Sequence, residues 1–175
     1  VSKITIGFST AKTRNPFSWL IRRVEGTPYS HCYIKYYSQK YDLWLVYHAS
    51  HTSIHFMSYD RFLLKSKIIK EYELEISTEA RDNLIKNGIK KAGIPYGALE
   101  ILGMLTARLM RLWFNLKIKN FLADNQKTQV CSELLYYDLK EFVDFGDFNP
   151  ELDGPKKIEK AISQVAVLTF PISQG

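Results

Sequence analysis

The sequence predicts an α+β fold, an antiparallel sheet or partial barrel packed against helices, and three observations carry that prediction. Short alternations of apolar and polar residues occupy positions 3–8, 30–57 and 67–76, with connections of hairpin length. Stretches with apolar residues at helical spacing flank them at 16–24, 79–92, 98–118 and 129–142. The length of 175 residues suits one domain over 1–175, and no linker, repeat or low-complexity tract divides it.

The elements follow in order. Ile4, Ile6 and Phe8 alternate with Lys3, Thr5 and Gly7, the period of a half-buried strand. Asn15-Pro16 then predicts a helix start, because Asn caps well and Pro costs nothing in the first turn. Phe17, Leu20, Ile21 and Val24 recur at helical spacing until Gly26-Thr27-Pro28 ends the run. Residues 30–37, 42–49 and 53–57 read as three hairpin-linked strands, and 67–76 as a fourth. Ser77-Thr78 is placed to cap a helix over 79–92, and residues 93–97 form a tight break. In the apolar stretch 98–118, Glu100, Arg108, Arg111 and Asn115 fall in one narrow sector of a helix. Such a helix is either clasped by protein or partly inserted in lipid, and core packing is the expectation. Residues 120–127 read as a loop. Thr128 is expected to cap a helix over 129–142, which puts Cys131 in its first turn. A short helix at 155–162 and a strand at 165–170 complete the chain.

The net charge of +6 and pI near 9.2 fit an anionic partner such as a membrane surface or cell-wall polymer. Most lysines scatter singly, which is also what a solvated surface looks like. Lys65, Lys67 and Lys70 cluster where an edge strand would be guarded against further pairing. No zinc-finger spacing or RNA-binding motif occurs, so no nucleic-acid partner is expected. Neither a signal peptide nor a stretch fit to span a bilayer is visible, so a cytoplasmic or membrane-peripheral protein is expected. Two cysteines, Cys32 and Cys131, are too few for a disulfide framework. A bridge between them ranks below a reduced pair, because Cys32 follows His31 in a strand, where neighbours face opposite ways.

All four histidines lie between positions 31 and 55. His31 is early in one strand and His48 late in the next, so a hairpin brings them opposite or nearly so, and one imidazole can orient the other. Cys131 at a helix start feels the positive end of the helix dipole, which favours its thiolate, and a nearby imidazolium favours it further. The alternatives are a buried core thiol, or a zinc site drawn from His31, His48, His51, His55 and Cys131. The histidine spacings match no tight metal motif, and no metal ligand set is expected.

The segment Thr27-Pro28-Tyr29-Ser30-His31 with its following strand resembles a motif of the NlpC-type papain-like cysteine hydrolases, as does Val130-Cys131-Ser132-Glu133-Leu134-Leu135. Histidine before cysteine is similar to the circularly permuted, YiiX-like branch and to the lecithin–retinol acyltransferase group. Gly93-Ile94-Pro95-Tyr96-Gly97 resembles the Gly-x-Pro-Tyr-Asp element of such proteins, and Asp153-Gly154-Pro155 their Ser-Pro or Thr-Pro element. The resemblance implies a permuted papain-like fold, Cys131 as nucleophile, His31 as base, His48 as orienter, and Tyr96 and Tyr29 near the substrate. At His48 many permuted relatives have Glu, so this position departs from the pattern. No cofactor is implied. The implied activity is that of a cysteine hydrolase or acyltransferase on an amide, ester or thioester of a lipid or acyl-bearing substrate. The alternatives are a peptidoglycan amidase or endopeptidase and a catalytically silent binding module.

Overall fold

The computed structural model describes residues 1–97, 101–103, 105–106, 110 and 129–170. Six antiparallel strands form one open sheet in the order β4-β3-β2-β1-β5-β6. They are β1 (Ser2–Ala11), β2 (His31–Ser38), β3 (Leu43–Ala49), β4 (Ile54–Ser58), β5 (Ser66–Ile76) and β6 (Val167–Phe170). The helices α1 (Pro16–Glu25), α2 (Tyr59–Lys65), α3 (Thr78–Lys91), α4 (Cys131–Leu139) and α5 (Pro155–Val165) pack around it. The α+β reading holds, and the sheet is open rather than a partial barrel. Its first four strands form a meander, and β5 returns to the other side of β1.

The local rules placed several boundaries well. Asn15 Oδ1 accepts from the Ser18 amide at 3.1 Å, Pro16 opens α1, and Gly26 closes it at φ 64°. Ser77 accepts from the Ala80 amide at 3.0 Å, fixing the start of α3. The reading missed α2, whose seven residues bury Phe62 alone and so show no helical stripe. The edge-strand reading of Lys67 and Lys70 holds for half of β5. Strand β6 pairs only with Glu71–Glu73, so among the described residues Ser66–Lys70 pairs with β1 alone. The Thr128 cap, the loop at 120–127 and most of the helix at 98–118 lie outside the described residues. Within that stretch Ile101 and Leu105 are helical and buried with Ile21 and Val130. Among the described residues no helix is long and apolar enough to cross a membrane.

Burial on both faces of the sheet explains why β1 is buried almost throughout. On one face Ile4, Ile6, Phe8, Ile34 and Tyr47 meet Leu84 of α3, Leu134 and Leu135 of α4, and Ile158 and Ile162 of α5. On the other, Tyr33 and Val46 meet Phe62 of α2. That second face also buries a carboxylate, Glu71, which needs full pairing to be tolerated there. Tyr33 donates to it at 2.6 Å, Tyr59 at 3.0 Å and Lys35 at 2.6 Å. To reach Glu71 the Tyr33 ring lies flat over Gly7, where a Cβ would fall 2.0 Å from Cζ of the ring. A glycine is required at that point for close approach rather than for backbone freedom.

Gly7→Ala is therefore expected to displace Tyr33, unpair Glu71 and lower stability by about 3 kcal/mol or more. Urea denaturation measures the loss. A variant within experimental error of the parent would remove the Tyr33–Glu71 bond from the account of this face.

Candidate active site

His31 is the first residue of β2 and Cys131 the first of α4, so the site forms where a strand and a helix both begin. Two contacts hold that helix start in place. Residues 93–97 run between β4 and the lead-in to α4, with Ile54 N–H donating to Ile94 C=O at 2.9 Å and Tyr96 N–H to Thr52 C=O at 3.2 Å. On the far side Gln129 N–H donates to Pro95 C=O at 3.2 Å, and a single parallel bridge joins Tyr96 to Gln129. Gly93 turns at φ 91°, a conformation L side chains rarely adopt, which explains the glycine at the head of this element. From below, Ser132 Oγ donates to the Asp153 carbonyl at 3.1 Å, tying the second residue of α4 to the entry of α5.

His31 and His48 meet. Their ladder ends at Ile34–Tyr47, and continuing its register sets His48 across from Tyr33, two residues from His31 and on the same face. The diagonal is closed by the rings, with His31 Nε2 and His48 Nδ1 3.0 Å apart and the ring planes near perpendicular. That bond spends Nε2 of His31 and leaves Nδ1 as its other polar atom. Burial first, then the charges of His31, His55 and His51, push His48 well below the ordinary imidazole range. His48 is thus neutral at neutral pH and its Nδ1 can accept from an imidazolium at His31. Its Nε2 is buried with no hydrogen-bond partner among the described residues. Phe62 packs edge-on against its ring, 5.2 Å between centroids.

Cys131 is 4% exposed, and both His31 and Cys32 act on its thiol. Hydrogen bonding from the Cys32 thiol holds Cys131 well below the ordinary thiol range, against the effect of burial. The charge and hydrogen bond of His31 act in the same direction, as does the Cys32 backbone N–H. Cys32 moves the opposite way, raised by its own burial and then by the neighbouring Cys131. Tyr96 is raised by burial and then by the charges of Cys131 and Cys32, so its hydroxyl stays protonated. The three shifts agree in direction, favouring the thiolate at Cys131 and the neutral forms of Cys32 and Tyr96.

The structure brings Cys131, His31, His48 and Tyr96 together. Tyr29 is placed apart in the core, 1% exposed, with its hydroxyl donating to Glu159 at 2.7 Å, a position that does not fit a substrate-lining role. His51 lies exposed in the turn after β3. His55 stands directly across from His48, the rings 4.7 Å apart, and its Nδ1 lies 3.0 Å from the Ser53 carbonyl. Cys32 is the contributor that sequence reasoning set aside. Strand alternation turns it away from His31, yet both residues act on the Cys131 thiol. Both cysteines are free thiols.

Fold and site together define a class: an α+β chain with a helix-start thiol and, at the start of a strand, a histidine paired with a second imidazole. No family model and no curated protein matches the sequence. Among solved structures the chain is similar in fold to the metalloprotein yiiX from Escherichia coli O157:H7, at 13% identity and a TM-score of 0.54, covering 97% of this chain and 96% of that one. Whether the present residues would suit a metal is a question of donor geometry. Among the described residues no three His, Cys, Asp or Glu side chains converge on one point, and His31 and His48 turn one nitrogen each toward the other. Among the described residues the donor set does not fit a metal ion.

Replacing Cys32 by Ala removes the largest hydrogen-bond contribution to the Cys131 thiolate. The pH at half-maximal alkylation of Cys131 by iodoacetamide should rise, with a slower rate at neutral pH. An unchanged profile would take Cys32 out of the site.

Proposed function

We propose that the chain is a cysteine-dependent hydrolase or acyltransferase of permuted papain-like kind, acting on an amide, ester or thioester of an amphipathic, acyl-bearing substrate. The observation that carries this reading is the placement of Cys131 at the N-terminus of α4, where the His31 imidazole, itself bonded to His48 at 3.0 Å, favours its thiolate. A thiolate there is the attacking form, and the first free N–H groups of a helix are natural donors to an oxyanion.

The chemistry follows from the placement. Cys131 passes its proton to Nδ1 of His31, and the imidazolium is oriented through its Nε2–H to the neutral His48. The thiolate adds to the acyl carbon, and the C=O electron pair moves onto oxygen. Backbone N–H groups at the start of α4 receive that oxyanion, each such donor contributing on the order of 3 kcal/mol. Collapse breaks the bond to the leaving group, which takes the proton from His31. Water, or an acceptor hydroxyl or amine, then attacks the thioester with His31 as base, and Cys131 is released as thiolate. A His–His pair orients the base without the negative charge a carboxylate would add. Substitution of His48 should therefore cost less than substitution of His31.

The near-complete burial of Cys131 favours one other reading, a binding module that keeps the pocket and not the turnover. Labelling separates the two. Cys131→Ala should lose all labelling by a thiol-directed acyl ester at neutral pH. His31→Ala should lower the labelling rate roughly 100-fold or more, on the scale of lost general-base catalysis. Labelling that persists in Cys131→Ala, or that maps to Cys32, sinks the assignment. Stoichiometric acylation of Cys131 with no turnover of amide, ester or thioester substrates would favour the binding module.

A further inference from the structure

Helix α1 packs Ile21, Leu20 and Val24 inward, but two of its aromatic residues face out. It buries Ser18 and Glu25 beside Ile21, yet leaves Phe17 51% and Trp19 59% exposed. Two large aromatic side chains on a solvent face call for a partner on that face. The charge around them is one-sided. Residues 9–24 hold Lys12, Arg14, Arg22 and Arg23, residues 61–70 hold Arg61, Lys65, Lys67 and Lys70, and neither stretch contains Asp or Glu.

The two stretches are joined in space. Thr10 pairs with Lys67 and Ala11 with Ser66, and Lys12 N–H donates to Lys65 C=O at 3.0 Å. Lys12, Arg14, Lys65 and Lys67 are all exposed, and Leu64 beside them is 75% exposed. The same end of the sheet carries the site. Ser9 pairs with His31, and the Ser18 and Ser30 hydroxyls lie 2.6 Å apart, so α1 stands over the residue that precedes the histidine.

We propose that this end of the molecule, with Phe17, Trp19 and Leu64 as apolar tips among Lys12, Arg14, Lys65 and Lys67, is a docking surface for an anionic lipid bilayer. It deepens the reading of an acyl-bearing substrate, rests on that reading for its purpose, and sets the bilayer beside Cys131. Aromatic and aliphatic tips ringed by lysine and arginine match the interfacial zone of a membrane, where the rings enter and the cations meet headgroups. A second copy of this chain is a poor occupant, because self-docking would press like charges together. Single-stranded nucleic acid is the other polyanion, but the aromatic residues stand on protruding tips rather than along a groove that would track a strand.

Co-sedimentation with vesicles tests the surface without turnover. The full chain should bind mixed phosphatidylcholine–phosphatidylglycerol vesicles and largely ignore phosphatidylcholine alone. Neutralisation of Lys12, Arg14, Lys65 and Lys67 to Gln should weaken binding by roughly fivefold per cation. F17S/W19S should abolish it, with circular dichroism unchanged because both side chains are exposed. Cys131→Ala should bind as the parent does. Lack of binding to the mixed vesicles, or equal binding by the variants, overturns the proposal. So does displacement of the vesicles by a single-stranded oligonucleotide, or self-association through Trp19. Vesicle binding alongside a failed labelling experiment would leave the surface standing and remove the hydrolase. Acylation without vesicle binding would do the reverse.

Discussion

The arrangement depends on one constraint: the first residue of a helix is held against the first residues of a strand about a hundred positions earlier. Neither segment does this alone. Residues 93–97 bond to β4 on one side and to Gln129 on the other, and Ser132 anchors the opposite flank to Asp153. Leu134, Leu135 and Leu139 then bury α4 against the sheet, so the apolar core provides the binding energy and the backbone bonds set the position. A sulfur fixed this way can meet an imidazole, a second thiol and a phenol at once. The cost of burying such a polar group is met by these hydrogen bonds, and they all favour the same ionisation state.

The remainder of the fold supports that junction from behind. Glu71, paired by Tyr33, Tyr59 and Lys35, and Glu159, paired by Lys70, Tyr72 and Tyr29, lock opposite faces of β5 to their surroundings. Against the effect of burial, the bonds from Lys70, Tyr72 and Tyr29 hold the Glu159 carboxyl below its usual range. Breaking either network would leave a buried charge without its partners, which costs far more than the intact pair contributes. They tie β5 to β2 through Tyr33 and Lys35 on one face and to α5 through Glu159 on the other.

Much of this was legible in the sequence. Asn15-Pro16, Gly26 and Ser77 are local signals whose physics acts within a few residues, and they marked helix ends correctly. The meeting of His31 with His48 followed from hairpin geometry. That Cys131 joins them was carried by short motifs, since no local rule brings position 131 to position 31. Three features were out of reach for definite reasons. Helix α2 buries one side chain, too few to print a period. The part played by Cys32 was hidden by strand alternation, which turns it away from His31. Tyr29 belongs to the same motif as His31, yet its placement is decided by Glu159, 130 residues away.

The surroundings of Cys131 favour ionisation of its sulfur over that of the Cys32 thiol beside it. Thiolate absorbance in the ultraviolet, recorded across pH for the parent chain and for Cys131→Ser, isolates that one group. The account predicts that the difference signal is already present well below the free-thiol range of about 8.5 and that a second thiolate, from Cys32, emerges only at high pH. A difference signal that begins at or above that range would contradict it.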